Sequence, residues 1–263
     1  MKQRLDVALV ERGLAETRAK AQALVMAGEV LVDGQRADKP GTPVAEGARI
    51  EVKAALPYVS RGGLKLAHAI EVFGLAERIV GKVALDIGSS TGGFTDVLLQ
   101  GGAAHVYAVD VGTNQLAWKL RQDARVTAME QTNIRYLESL PHSCDLATCD
   151  VSYIGLELVT PPAVRLTTPD AFFVFLIKPQ FEAGREQVGK GGVVREASVH
   201  RDVIIRLAQY WKAQGLHLEG LARSPITGPA GNVEYLALIE KQPRTVAFDL
   251  QPAIEREVIP HVK

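Results

Sequence analysis

The chain has 263 residues, 47% hydrophobic and 23% charged, and its 30 Lys and Arg balance its 30 Asp and Glu. This usage excludes general disorder, and the neutrality excludes a whole-protein basic field as a means of holding nucleic acid, so any such site is a local patch. The longest wholly apolar run, residues 171–177, falls far short of the ~20 needed to cross a bilayer, and no charged-then-apolar leader opens the chain, so a soluble cytoplasmic protein is expected.

Residues 1–55 read as a small α+β unit. Leu5, Ala8 and Leu9 recur at helical spacing until Gly13, and a second helix runs from the N-cap Thr17 to Gly28. Asp33-Gly34 after Val30-Leu31-Val32 predicts a hairpin, and residues 49–53 alternate like a closing strand. Nine basic residues against eight acidic ones give the unit no field of its own, yet Arg18, Lys20 and Arg36 gather near the second helix and the hairpin. Residues 56–59 are expected to be a linker. Ser60 then stands where it can cap a helix bearing Leu64, Ala67, Ile70 and Phe73.

From residue 82 onward strand-like runs alternate with helical ones. Residues 83–85 precede a helix at 94–100, and 105–109 precede one at 115–120; runs at 125–129, 146–149 and 172–177 follow. Such alternation predicts an α/β domain with a mostly parallel sheet covered on both faces. A long amphipathic helix after residue 197 carries Val203, Ile204, Leu207, Tyr210 and Trp211 on one side, and strands at 216–221 and 233–239 finish the sheet as an antiparallel pair. The domain therefore spans 60–241, and the polar residues 242–263 are expected to form a tail. Cys144 and Cys149, five apart on one segment, point to opposite faces and read as reduced packing residues; with the histidines scattered, no metal site is expected.

The strongest motif is Asp86-Ile87-Gly88-Ser89-Ser90-Thr91-Gly92-Gly93-Phe94, after a strand and before a helix, where glycines admit a ligand to free backbone N–H groups. Asp110 ends the next strand, in the place from which a carboxylate accepts ribose hydroxyls. A dinucleotide fingerprint needs a glycine where Ser90 stands, and Asp86 would oppose a phosphate. S-adenosylmethionine keeps the ribose, carries positive charge and has no phosphate, so it is the expected cofactor, with Asn133 placed in the same binding set. Residues 184–191 nearly spell a phosphate loop but lack its Ser/Thr and following helix; a mobile, basic substrate loop is the expectation instead.

Charged residues also stand at later strand ends, where a sheet core would not choose them. Asp150 follows Leu146-Ala147-Thr148-Cys149, Lys178 follows Phe173-Val174-Phe175-Leu176-Ile177, and Glu234 opens the last strand. Ligands of open parallel sheets bind beyond the carboxyl ends of strands, so Asp150 and Lys178 converge beside the cofactor turn. With Val59-Ser60-Arg61-Gly62-Gly63-Leu64-Lys65-Leu66 these segments resemble the TlyA-type hemolysin family, ribosomal RNA 2′-O-methyltransferases related to the FtsJ/RrmJ methyltransferases. The resemblance implies a Rossmann-like class I methyltransferase sheet with an N-terminal ribosomal-protein-type RNA-binding domain. It also implies a Lys-Asp-Lys-Glu catalytic tetrad at Lys65, Asp150, Lys178 and Glu234, S-adenosylmethionine as methyl donor, and cytidines of ribosomal RNA, within ribosomal subunits, as substrate. Arg18, Lys20, Arg36, Arg61, Arg185, Lys190 and Arg195 are the residues expected to hold RNA, through phosphate contacts. Three other readings compete: a membrane-active hemolysin, which would need an exposed apolar helix or barrel strands, a catalytically dead RNA-binding module, and an enzyme acting on tRNA or a small molecule.

Overall fold

The computed structural model describes residues 2–52, 56–245 and 248–258. The chain divides into two compact units, Met1–Pro57 and Tyr58–Lys263. Lys53, the last residue of the expected closing strand, lies outside the described residues, as do residues 54–55, 246–247 and 259–263.

In the first unit, β1 (Lys2–Arg4) leads into α1 (Leu5–Glu11), and α2 (Arg18–Met26) opens with the Thr17 side chain accepting from Lys20 N at 3.2 Å. Next come β2 (Val30–Val32), β3 (Gln35–Ala37), β4 (Pro43–Ala45) and β5 (Ile50–Val52). Asp33 and Gly34 both take positive φ, as a two-residue hairpin turn requires, and β2 pairs with β3 and β5. The β1–β4 pairing carried no alternation long enough to read. Leu5, Ala8, Leu9, Ala21, Val25 and Val30 form this unit's core.

The second unit contains α3 (Gly62–Phe73), α4 (Ala76–Ile79), β6 (Val83–Ile87), α5 (Gly93–Gln100), β7 (His105–Val109), α6 (Trp118–Arg121), β8 (Val126–Met129) and β9 (Cys144–Cys149). These are followed by α7 (Leu156–Arg165), β10 (Thr167–Ile177), α8 (Pro179–Glu182), α9 (Ala197–Ala213), β11 (His217–Arg223), β12 (Tyr235–Glu240) and α10 (Leu250–Glu257). Among the described residues its sheet runs β11-β12-β10-β9-β6-β7-β8, parallel except for β12, which is antiparallel to both neighbours. This is the expected Rossmann-like arrangement. Successive residues alternate between the faces: Phe173 and Phe175 join α7, α9 and α10 on one side, whereas Phe172 and Val174 join α3 and α5 on the other. Cys144 and Cys149 are buried free thiols, and burial pushes the Cys144 thiol up to about 12.

Four expectations change. The linker is shorter than 56–59, because Val59 N donates to Asp96 Oδ2 at 2.8 Å and the Tyr58 ring packs where a Gly63 side chain would stand. Ser60 is not a side-chain cap, since α3 begins only at Gly62. The helix expected at 115–120 shrinks to α6, because Asp110 Oδ1 and Glu130 Oε1 take the N–H groups of Gly112 and Gln115 and hold a loop there. The expected tail folds back as α10, which buries Ala253 and Ile254 against the sheet.

The helix α7 had no signal, because Pro161-Pro162 reads as a breaker. Proline 161 removes the N–H that would reach the Glu157 carbonyl, and the Tyr210 hydroxyl donates to that oxygen instead, at 2.9 Å. No helix among the described residues is long and apolar enough to cross a membrane.

Candidate active site

The crevice opens at the carboxyl ends of β6 and β9, where the strand order reverses direction. Gly88 leaves β6 with φ +78°, and a Cβ there would stand 2.7 Å from the Asp150 backbone oxygen, so only glycine fits. Ser90 also takes a positive φ, and its N–H donates to Asp110 Oδ2 at 2.8 Å. Gly92 and Gly93 serve packing: a Cβ on Gly92 would strike Leu120, and one on Gly93 would strike Ser60 and the Gly63 backbone. These contacts seat the start of α5 against α6 and α3.

A cavity of about 520 Å³ lies beside this turn. Asp110, Ser90 and Asn133 contribute its polar lining, and Ile87, Val109 and Ile134 part of its apolar wall. Asp110 thus meets both the turn and the cavity. A second cavity, about 370 Å³, continues past Gly88 and is lined by Ser89, Ser90, Thr91, Gly93, Phe94 and Arg61, among others.

Asp86 differs from expectation. Its carboxylate is fully enclosed, accepting the Thr95 hydroxyl at 2.6 Å and the Thr148 hydroxyl at 3.0 Å. Burial raises its pKa to about 6 against those bonds. Facing inward, it braces β6 against α5 and β9 and is not among the residues that line the two cavities beside the turn.

The four charged residues at later positions come together at the same end of the sheet. Lys65 Nζ donates to Glu234 Oε2 at 2.7 Å and stands 3.6 Å from Asp150 Oδ2, while Asp150 Oδ1 is 2.6 Å from Lys178 Nζ. The order is therefore Glu234–Lys65–Asp150–Lys178, with charges alternating. Lys65, Lys178 and Glu234 are 7%, 8% and 1% exposed, so each charge is compensated by a neighbour more than by water. The topology explains the meeting. Asp150 and Lys178 follow parallel β9 and β10 and so emerge at one edge. Because β12 runs the other way, its start, with Glu234, lies at that edge as well. Lys65 arrives from the first turn of α3, which packs on α5.

Two further polar residues join this cluster. Ser152 Oγ accepts from Lys178 Nζ at 3.0 Å, and Gln180 Nε2 reaches Glu234 Oε1 at 3.5 Å. Ser152 stands two residues beyond Asp150 at a strand end, a spacing that returns an extended chain to the same side and could have pointed to it, whereas Gln180 is brought in by the short helix α8 and carried no such signal. Ser152, Lys178 and Glu234 also border a third cavity of about 630 Å³, whose far wall is the loop containing Arg185, Gly189, Gly191 and Gly192. The cluster can bind a polar substrate, and its lysines can give a proton to an oxygen or take one from it.

The residues expected to hold RNA are distributed unevenly. Arg61 and Arg185 line the cavities, and Lys190 and Arg195 are exposed on or beside the glycine loop. In the first unit Arg18 is engaged, its Nε donating to the buried Asp6 at 2.9 Å, and Lys20 pairs with Glu16 at 3.1 Å. Arg36 lies across Gly28, its guanidinium occupying the place of a Cβ.

The FtsJ-like methyltransferase family matches residues 58–241, and the S4 domain family matches residues 3–50. The chain is 52% identical over 242 residues to YqxC of Bacillus subtilis, covering 89% of this chain and 84% of that one. It is 43% identical over 261 residues, 97% of either chain, to the 16S/23S rRNA (cytidine-2′-O)-methyltransferase TlyA of Mycobacterium tuberculosis. A solved hemolysin-type structure from Streptococcus thermophilus is similar at 47% identity and a TM-score of 0.75, over 98% of this chain and 94% of that one.

Proposed function

The chain belongs to the FtsJ-like methyltransferase family and carries an S4 domain ahead of it, and from that premise we propose that it transfers a methyl group from S-adenosylmethionine to a ribose 2′-hydroxyl of cytidine in ribosomal RNA. One observation carries this reading: buried Lys65, Lys178 and Glu234 and half-buried Asp150 form one cluster of alternating charge at the rim of a glycine-lined turn. The substrate follows the named activity of the M. tuberculosis relative, similar over nearly the whole chain.

The residues present fit the cofactor. Asp110 faces a cavity with apolar walls suited to an adenosine, and Gly88 leaves open the path from that cavity to the tetrad. S-adenosylmethionine bound there supplies an electrophilic methyl group. Lys178 Nζ has three positions for protons or its lone pair; Asp150 and Ser152 engage two, which leaves one for the substrate oxygen. Through that position Lys178 steadies the negative charge developing on the hydroxyl oxygen or receives its proton. Asp150 and Glu234 hold the two lysines in place, and Lys65 bridges the two carboxylates. Fixing both reactants side by side in the crevice supplies the larger share of the rate.

Arg185, Lys190 and Arg195 on one unit, and Lys20 and Arg36 on the other, supply the phosphate contacts in this reading. The substrate is the RNA within assembled ribosomal subunits, so the enzyme works in the cytoplasm.

The test is methyl transfer from labelled S-adenosylmethionine to isolated ribosomal subunits, followed by digestion to nucleosides. 2′-O-methylcytidine is the expected product. Label in a base, or none in ribosomal RNA while tRNA offered in a parallel reaction is labelled, overturns the reading.

A further inference from the structure

We propose that His200, a core residue outside the tetrad, is a positioning residue for the RNA substrate: its imidazole anchors the 184–194 loop over the cavity that receives the target nucleotide. The inference rests on the ribose-methylation reading above.

The loop has little to hold it in place. Gly189 N donates to Val193 O at 3.0 Å and Gly192 N to Gly189 O at 3.0 Å, which closes a tight turn in which Gly191 and Gly192 both take positive φ. Arg185, Gln187 and Lys190 are exposed, so the turn buries almost no side chain of its own. Its fixed point is Val194, at 3% exposure. There both backbone groups are taken by buried side chains. Val194 N donates to Asn232 Oδ1 at 3.0 Å, and the Asn232 amide also donates to Gly192 O at 2.8 Å. The Val194 carbonyl is met by His200 Nε2 at 3.1 Å.

A carbonyl only accepts, so Nε2 carries the proton and Nδ1 is left to accept from the Tyr235 hydroxyl, 2.9 Å away. Both side chains are fully buried, and burial lowers the His200 pKa, which keeps the ring neutral in this one tautomer. An apolar residue would pack here without the cost of enclosing two nitrogens. An imidazole does what an apolar residue cannot: it joins a hydroxyl on β12 to the root of the loop. Tyr235 directly follows Glu234, so the strand that places a tetrad carboxylate also places the loop facing it. The width of the cavity between Lys178 and Gly192 is thereby tied to the catalytic frame.

The experiment uses the full chain with S-adenosylmethionine and ribosomal subunits. In the double variant His200→Phe/Tyr235→Phe, both members of the buried pair become apolar rings, the first somewhat larger than the imidazole it replaces, so neither polar group of the pair is left unmatched. Expected are a melting temperature within a few degrees of wild type, kcat within about twofold, and KM for the subunits raised at least about fivefold. Tyr235→Phe alone retains the Nε2–H bond to the loop and should raise KM less than the double variant does, and His200→Gln in that background, whose amide can stand in for Nε2, should bring KM back to the Tyr235→Phe value.

Trypsin cleavage after Lys190 gives a readout independent of methylation, expected to be faster in the double variant than in Tyr235→Phe. An unchanged KM, or equal cleavage rates, overturns the proposal, as does a loss confined to melting temperature and kcat. Should the double variant melt more than about 10 °C early, His200→Gln and His200→Met are compared, and equal KM values overturn it. A wild-type chain that labels no ribose defeats the functional reading and with it any role toward RNA; the trypsin result then still decides whether His200 holds the loop.

Discussion

Gly88 and Asp150 touch: a methyl group on the first would lie 2.7 Å from the backbone oxygen of the second. The turn proposed to hold the cofactor and the strand end that carries a tetrad carboxylate are therefore one packed unit. Gly88→Ala should disturb both. Its positive φ adds strain of about 1–3 kcal/mol, and the clash is with backbone that cannot swing away. S-adenosylmethionine affinity measured by calorimetry should fall more than about tenfold, with a lower melting temperature. Gly215→Ala has a similar φ but open space around it, so it should lower stability while leaving cofactor affinity unchanged.

Lys178→Ala should reduce single-turnover methyl transfer by about 100- to 10,000-fold, the range for loss of a positioned proton donor or acceptor. Cofactor affinity should stay within a few-fold, since Lys178 does not line the cavity beside Asp110. Lys178→Arg should not restore activity, because the guanidinium fork cannot place one nitrogen against Asp150, Ser152 and a substrate oxygen at once. Activity retained in the alanine variant would remove this lysine from the mechanism.

Asp86 makes stability depend on pH in a direction opposite to most carboxylates. Burial raises its folded-state pKa to about 6, so between about pH 4 and 6 the folded chain keeps a proton that the unfolded chain has released. The stabilisation this provides is complete at lower pH and is lost as pH rises through 6. Its full extent is on the order of 3 kcal/mol. Asp86→Asn keeps partners for both threonine hydroxyls and does not ionise. The melting temperature of the variant minus that of wild type should therefore climb from pH 4 to pH 7; a constant difference would show that the carboxyl titrates normally.

In the S4 unit, Arg18 and Lys20 should separate. Arg18 holds the enclosed Asp6, whose carboxyl is kept well below the usual carboxylate range chiefly by Arg4. Arg18→Ala should lower both the unit's melting temperature and RNA affinity. Lys20 pairs only with an exposed glutamate, so Lys20→Ala should weaken RNA binding, with a shallower salt dependence, and leave stability alone. Equal melting losses in the two variants would contradict this division of roles.

Much of the molecule was legible in its order of residues. Alternating apolar runs and glycine or Asp-Gly punctuation located nearly every strand, because a strand's period and its turn are both local properties. Asp150 and Lys178 stood out because a charge at the end of an otherwise apolar strand has no packing reason to be there. The helix α7 did not, since its two prolines read as breakers and the hydroxyl that replaces the N–H lost at Pro161 comes from α9, 53 positions from the carbonyl it meets. The helix α10 was missed as well, its apolar residues being too few to signal burial without the sheet beneath them.

Most of the strands, the glycine-lined turn after β6 and the four charged residues that meet at one edge of the sheet could be read from local pattern. The meeting of Lys65 with Glu234, 169 positions away, the inward turn of Asp86 and the bond from buried His200 to the Val194 carbonyl at the root of a surface loop arise only in the closed fold. The physical reason is one of range. Periodicity and turn chemistry act across a few residues, whereas a buried charge or donor finds its partner only after the sheet has closed, when the cost of leaving it unpaired selects which distant group it meets.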